Sequence, residues 1–268
     1  MVENNRKKII QELTKNLFDI KRWPHYQLMF DHLDSIIEKI QDDGKFAILE
    51  RCYIYGGLSI FSSLFDTKNL DIFDFVPPKS LEENRKNYQK NKLDLLPLSK
   101  AKMREAEKVV TTNNLMDSLK QKELYDYIFV PNVLHHYPNP YDLFKICNRA
   151  LKEKGCLYIF DATLRENHQK PDDFLRFTPD GITYGLESNR FKIKEIFTSN
   201  SPLEALLYTT DQVIQYDLPS ELLTEIKKMN NLIKEKYSSE LKINFKNKVR
   251  NNTSFPIAYS VLAEKIRI

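Results

Sequence analysis

Two hydrophobic rhythms alternate along the chain. Ile9, Ile10, Leu13, Leu17 and Phe18 recur at helical spacing, and after Trp23-Pro24 so do Leu33, Ile36, Ile37 and Ile40, which predicts two helices before any strand. Asp42-Asp43-Gly44 is turn chemistry, and Phe46 to Ile54 is a strand-like run that ends in Gly56-Gly57. Leu58 to Phe65 has the apolar content of a short helix, and Leu70 to Phe75 reads as a second buried strand closed by Pro77-Pro78. The polar stretch Pro77 to Lys108 reads as a helix with a long connection, and Val109 to Thr112 as a short β-branched strand.

The next signals are the clearest. Tyr125 to Asn132 is a strand, and Asn139-Pro140 supplies an N-cap with proline at the first helical position. That helix is expected to run to about Lys154, with Gly155 as the left-handed residue that ends it and Cys156 to Asp161 as the following strand. Strands alternating with helical patterns at this spacing predict a mostly parallel sheet. Thr178-Pro179 then marks a helix start, Phe191 to Phe197 a strand, Ser220 to about Lys248 one or two charged helices, and Phe255 to Ala263 a last strand. Asn200 to Asn252 has too little strand character to extend the sheet, so it reads as a cap or an oligomerisation element.

Composition narrows the choice. Ordinary usage would give a chain of 268 residues roughly 19 glycines; this one has 6, which excludes collagen-like and glycine-linker readings and requires any glycine-rich cofactor loop to be a reduced one. The 41 Lys and Arg nearly balance 37 Asp and Glu, so the chain as a whole is not an electrostatic nucleic-acid binder. Lys227 to Arg250 holds eight basic residues against Glu235 and Glu240, read as a solvated helical face. Cys52, Cys147 and Cys156 show no CxxC spacing and sit in apolar stretches, which fits buried free thiols in a reducing compartment. No run approaches 18 apolar residues, and the N-terminus lacks the apolar core of a signal peptide. The expected setting is soluble and cytoplasmic.

In an open parallel sheet the ligand lies outside the carboxyl ends of the strands. Those ends carry Glu50 through Gly57, Asp74, Asn113-Asn114, Asn132 to His136, and Asp161. Gly56 and Gly57 permit positive φ and close backbone approach beside a nucleoside. Asp74, about 20 residues after the glycine turn, is placed either to accept hydrogen bonds from ribose hydroxyls or to stand as a solvated strand-end acid. No GxGxxG or GxxxxGK[ST] occurs, so a pyrophosphate cradle is not supported. The adjacent His135 and His136 make a poor metal pair, having no third ligand at a recognisable spacing, and no metal is expected.

The succession YDYIFVPNVLHHYPNPYDLFKICNRALKEKGCLYIFD, Tyr125 to Asp161, resembles the class I S-adenosylmethionine-dependent methyltransferases in its hydrophobic strand, "NVLHH", helix, "R-x-LK-x-x-G" and second strand ending in Asp. ILERCYIYGGLSIF, Ile48 to Phe61, resembles the family's first motif in part: Glu50, Gly56-Gly57 and Ser59 match, whereas Cys52 and Ile54 replace glycines. The resemblance spans roughly Phe46 to Phe197 and implies a Rossmann-like, doubly wound, mostly parallel seven-stranded sheet. It divides one domain, 1–268, into N-terminal helices (1–45), a Rossmann-like core (46–199), a helical insertion or cap (200–252) and a last strand (253–268).

Position by position, the resemblance implies that Glu50, Gly56 and Gly57 lie near the methionine end of S-adenosyl-L-methionine and Asp74 near its ribose. Asn113 and Asn114 stand where an acid often receives the adenine amino group, and Asn132 borders the sulfonium. His135 or His136, with Asp161 26 residues beyond His135, then forms the pair that removes an acceptor hydroxyl proton. The expected activity is O-methylation of a small-molecule or glycan acceptor, with S-adenosyl-L-homocysteine as product. A catalytically inactive binding or assembly module is the alternative, motivated by Cys52, Ile54 and the paired asparagines. Neither a nucleic-acid partner nor a membrane span is expected, and a homodimer is left open. The cluster Arg22 to Tyr26 is read as packing of a helix corner rather than as a substrate lid.

Overall fold

The computed structural model describes residues 6–11, 25–40, 43–50, 58–59, 64–65, 69–75, 104–105, 109–112, 119, 122–167, 173–198, 202–237 and 255–267. Strands β1 (Phe46–Glu50), β2 (Leu70–Phe75), β3 (Val109–Thr112), β4 (Tyr125–Pro131), β5 (Leu151–Ala162), β6 (Phe191–Thr198) and β7 (Ala258–Lys265) form one sheet. Its order is β3-β2-β1-β4-β5-β7-β6. The first five strands pair in parallel, while β7 runs antiparallel to both β5 and β6. Helices are α1 (His25–Ile36), α2 (Pro140–Ala150), α3 (Pro179–Ser188), α4 (Pro202–Val213) and α5 (Ser220–Lys236), and residues 6–11 are also helical.

The central strands are apolar at nearly every position because both of their faces are covered. Phe46, Ile48, Ile72, Phe129, Tyr158 and Phe160 pack under α1. Their strand neighbours Ala47, Leu49, Phe73, Ile128, Val130, Leu157 and Ile159 point the other way, against Phe144 and Cys147 of α2 and Ile182 and Leu186 of α3. A one-residue slip would exchange the two cores, so the register is strongly specified. It sets Glu50 of β1 opposite Asp74 of β2 at the carboxyl edge.

Three expectations change. Leu58–Ser59 is not helical: it forms a two-stranded antiparallel ribbon with Arg104–Glu105, which also replaces helix at those two positions of the 77–108 stretch. An eight-residue helix leaves most of its terminal backbone groups unpaired, whereas strand pairing satisfies them directly. Next, α2 stops at Ala150, and Leu151 is already extended (ψ 141°) and paired with Tyr125. The left-handed residue is therefore Lys154 (φ 62°), not Gly155. Gly155 is required by crowding, since a Cβ there would lie 2.9 Å from the Lys152 carbonyl oxygen and 3.1 Å from that of Tyr125. Finally, Cys147 is fully buried but Cys156 is partly exposed, and Cys52 lies outside the described residues. Burial pushes the Cys147 thiol up to about 12 and, with the Glu264 charge adding, the Cys156 thiol up to about 11.

The contact between α1 and the antiparallel edge of the sheet is polar at its centre. His32 is fully buried, its Nδ1 2.7 Å from Ser260 Oγ, and that hydroxyl donates to Tyr158 Oη at 2.8 Å. The ring stacks on Phe197 with centroids 4.2 Å apart. Burial, helped by the Lys39 charge, pulls the His32 pKa down to about 3. A neutral ring makes its 3.7 Å approach to Glu195 Oε2 no ion pair, and Glu195 takes Lys39 Nζ at 2.8 Å instead.

His32 should therefore shape the acid limb of stability. Its folded pKa lies below its unfolded value of about 6.5, so its contribution is complete above that pH and is lost as pH falls towards 3, by up to about 1.4 kcal/mol per unit. Urea unfolding between pH 7 and 5 should show that slope in the parent chain and its reduction in His32→Phe. An unchanged slope would show that His32 does not control it.

Candidate active site

The site is built where β4 and β5 end side by side. Pro131 closes β4, and Asn132 takes a left-handed conformation (φ 55°) that asparagine tolerates better than most residues. Its N–H donates to the Phe160 carbonyl at 2.6 Å, so the sharp turn is clamped to β5. Leu134–His136 then form one turn of 3₁₀ helix, with the His136 N–H on the Val133 carbonyl at 2.9 Å. This turn carries His135 over the end of β5.

Asp161, at that end, is 1% exposed. Its Oδ2 accepts the His135 backbone N–H at 2.9 Å. Its Oδ1 accepts the Ala162 N–H at 2.7 Å and lies 2.6 Å from His135 Nδ1. A carboxylate acceptor at Nδ1 places the ring proton there and the basic lone pair on Nε2. His136, also buried, lies alongside with ring centroids 3.9 Å apart. Of the two candidate histidines, His135 is thus the one joined to Asp161.

Two walls close around this pair. The Phe174 N–H donates to the His135 carbonyl at 2.9 Å, which holds the 173–178 segment over the turn. Within that segment Arg176 engages both oxygens of Asp173 and donates to the Glu166 carbonyl at 3.2 Å. Burial works against its charge, but Asp173, Asp161 and Glu166 outweigh it and raise its pKa. Opposite, Tyr259 of β7 is the ladder partner of Asp161, and burial followed by the Asp161 charge pushes its phenol well above the ordinary range.

From α1, the Tyr26 hydroxyl accepts a hydrogen bond from Asn132 Nδ2 at 2.6 Å, while its ring packs on Phe160 with centroids 5.5 Å apart. The reading of Arg22 to Tyr26 as corner packing therefore misses a polar tie to the site; the signal for it was a tyrosine, whose ring suits a core and whose hydroxyl needs a partner. Arg22 to Pro24 lie outside the described residues, as do Gly56, Gly57, Asn113 and Asn114. Glu50 and Asp74 occupy the carboxyl ends of β1 and β2, as expected, one strand and two strands from β4. Arg176 and Asp173 were not anticipated, because an i, i+3 ion pair in a loop has no signature distinct from any charged surface pair. Among the described residues no group of three or more His, Cys, Asp or Glu side chains is arranged to hold a metal ion.

Residues 77–159 match the family model described as "Methyltransferase domain". No curated protein matches the chain. Similar solved structures include a protein of Galdieria sulphuraria described as a sarcosine dimethylglycine methyltransferase, at 14% identity over 91% of this chain and 85% of that one, with a TM-score of 0.48. A SAM-dependent methyltransferase of Archaeoglobus fulgidus shows 16% identity over 93% and 98% of the two chains, TM-score 0.48. A phosphoethanolamine N-methyltransferase 2 of Haemonchus contortus, in complex with phosphomonomethylethanolamine and S-adenosylhomocysteine, shows 14% identity over 97% of this chain and 60% of that one, TM-score 0.46.

The three N–H groups on Asp161 make its replacement costly. In Asp161→Asn one oxygen becomes an NH₂ that must face a donor, leaving buried groups unsatisfied at about 1–3 kcal/mol. The expected outcome is an unfolding midpoint lowered by several degrees, measured by calorimetry. A midpoint within about one degree of the parent would contradict this account of the site.

Proposed function

We propose that this chain, a class I S-adenosylmethionine-dependent methyltransferase by family match and strand order, methylates a hydroxyl oxygen of a small-molecule or glycan acceptor. The observation that supports the choice of oxygen is the buried His135–Asp161 pair. A hydroxyl is a weak nucleophile until its proton is taken, and a neutral imidazole oriented by a carboxylate suits that task near pH 7.

Residues at the carboxyl edge fit the cofactor. Asn132 Oδ1 is buried and accepts no hydrogen bond among the described residues, although its Nδ2 is engaged by Tyr26. In this reading Asn132 borders the donor's sulfonium. Glu50 would hold the methionine end with the Gly56-Gly57 loop, Asp74 the ribose hydroxyls, and Asn113 or Asn114 the adenine amino group. When bound, S-adenosylmethionine supplies a methyl group activated by its sulfonium.

In this reading the protein's own part has three elements. His135 Nε2 takes the acceptor proton while Asp161 holds the Nδ1 proton and steadies the charge that forms. His136 packs against the His135 ring and limits its rotation. The 173–178 segment, held to the His135 carbonyl, keeps bulk water from the base. Positioning of the hydroxyl contributes as much as the base, since aligned reactants in a dry site lose little entropy on reaction. We further take 1–268 to act as one domain, with 200–252 covering the acceptor side, in a cytoplasmic setting. No described helix is long and apolar enough to cross a membrane.

Isothermal titration with S-adenosylhomocysteine is the first test, and no binding at millimolar concentration would sink the proposal. On a hydroxylated acceptor, His135→Ala should lower kcat/KM by about 10²–10⁴-fold while leaving S-adenosylhomocysteine affinity within about twofold. His136→Ala should cost much less. Full activity in His135→Ala would exclude His135 as the base and point to a nitrogen or carbon acceptor.

A further inference from the structure

A guanidinium links the chain beyond β5 to the His135 turn. Thr163 and Leu164 donate to the Ile257 carbonyl at 2.9 and 3.1 Å, which anchors the first residues after β5 beside the start of β7. Arg176 Nη2 donates to the Glu166 carbonyl at 3.2 Å and to Asp173 Oδ2 at 2.8 Å. Its Nη1 engages Asp173 Oδ1 and donates to the Leu175 carbonyl at 2.8 Å. Between Asp173 and Leu175 stands Phe174, whose N–H reaches the His135 carbonyl at 2.9 Å. One side chain thus holds both neighbours of that donor and ties them to Glu166.

Stability alone does not explain the arrangement. The Asp173 side chain is 2% exposed and that of Arg176 20%. Taking both charges out of water offsets most of their attraction, so a buried pair adds little over apolar side chains of similar size. What it supplies is direction, since a planar fork on both oxygens of a carboxylate fixes orientation as well as distance. Residues 173–178 have no helix or strand ladder of their own. An i, i+3 pair there fixes the backbone between its ends, and Phe174 lies between them.

His135 is where that fixing is felt. Its single 3₁₀ turn is closed by the N–H groups of His136 and Tyr137 on the Val133 and Leu134 carbonyls, at 2.9 and 3.0 Å. A turn that short is weakly held by its own hydrogen bonds. The N–H and the ring of His135 both meet Asp161, whereas its carbonyl meets Phe174. Release of that carbonyl lets the peptide between His135 and His136 rotate, and the 2.6 Å contact from Nδ1 to Asp161 Oδ1 weakens steeply as its angle opens. The ring proton is then free to move to Nε2, the nitrogen that has to be basic.

We infer that Arg176, together with Asp173, is a positioning residue for His135: the pair sets the Phe174 N–H against the His135 carbonyl and so keeps the imidazole proton on the Asp161 side. The inference rests on the reading of His135 as the base and adds the residues that aim it.

The test is NMR of the isotope-labelled full chain at neutral pH, with the His135 signals assigned by their loss in His135→Gln. In the parent the His135 Nδ1 proton should give a far-downfield resonance and the Phe174 amide should exchange slowly. Arg176→Gln and Asp173→Asn should each speed Phe174 exchange about tenfold or more and broaden or abolish the Nδ1 resonance, with exchange at Val130 in β4 within about twofold of the parent. Arg176→Lys keeps the charge but loses the fork, so it should match Arg176→Gln; parent-like behaviour would make charge responsible and overturn the inference. Faster Phe174 exchange with an unchanged His135 resonance, equal speeding of all amides, loss of folding in both variants, or no change in either signal would mark a structural staple and overturn it. Absence of the Nδ1 resonance from the parent would do the same. Failure of the parent to bind S-adenosylhomocysteine in isothermal titration leaves these signals as they are and brings down the methyltransferase reading instead.

Discussion

A carboxylate buried at the end of a central strand must find its hydrogen-bond donors inside the protein, and Asp161 dictates much of the surrounding backbone on that account. Two of its three donors are backbone N–H groups, those of His135 and Ala162. Supplying the first requires the chain leaving β4 to turn back over β5 at once, which is what the left-handed Asn132 and the single 3₁₀ turn accomplish. The same turn brings the His135 ring to the carboxylate, so backbone and side chain of one residue are fixed by one acceptor. Such a ring is oriented before any ligand arrives, and little further ordering is needed for it to act.

The two cores explain why this edge can bear that strain. Alternate residues of β1, β4 and β5 point into α1 on one face and into α2 and α3 on the other, so neither strand can shift without exposing both sets. Within the sheet and α1, the described buried polar groups lie at the strand ends and along the antiparallel strands. His32 illustrates the second: Ser260 partners its Nδ1, and it joins α1 to β7 in a single charge state at neutral pH. Thus α1 is anchored by the His32 contact some two turns from Tyr26, the residue through which it meets Asn132.

Where the sequence was legible, one physical signal dominated locally. β4, the start of α2 and β5 carry long apolar runs, an Asn-Pro cap and a strand-end acid; β4, the start of α2 and the end of β5 appear within a residue of their expected bounds, while β5 begins at Leu151 and not at Cys156. Pairing of a histidine with Asp161 was implied by the family resemblance of the two strand ends. Which histidine required the left-handed φ of Asn132, and no periodicity reports that. Gly155 misled for a related reason: glycine is needed either for positive φ or for lack of a Cβ, and a sequence does not distinguish the two. Leu58–Ser59 pairs with residues far along the chain, at Arg104–Glu105, a non-local contact that outweighs weak helical propensity.

The segment after β6 shows the opposite case, in which the local pattern does not report which face of the helix is buried. An amphipathic reading of α4 built on Leu203, Leu206, Leu207 and Val213 would turn the helix so as to bury leucines, yet the helix buries Glu204, Tyr208 and Gln212. Among the described residues its buried apolar cluster is small, Ala205 and Tyr208 with Ile257. The rest of its support comes from α5, where Asn230 joins Thr210 at 2.6 Å and Asp211 at 2.7 Å. Helix α4 is therefore held more by its neighbour helix than by the sheet. The strand end and α4 thus differ in what fixes them: Asp161 is held by three N–H donors at the end of a central strand, whereas α4 depends on polar contacts with a neighbouring helix.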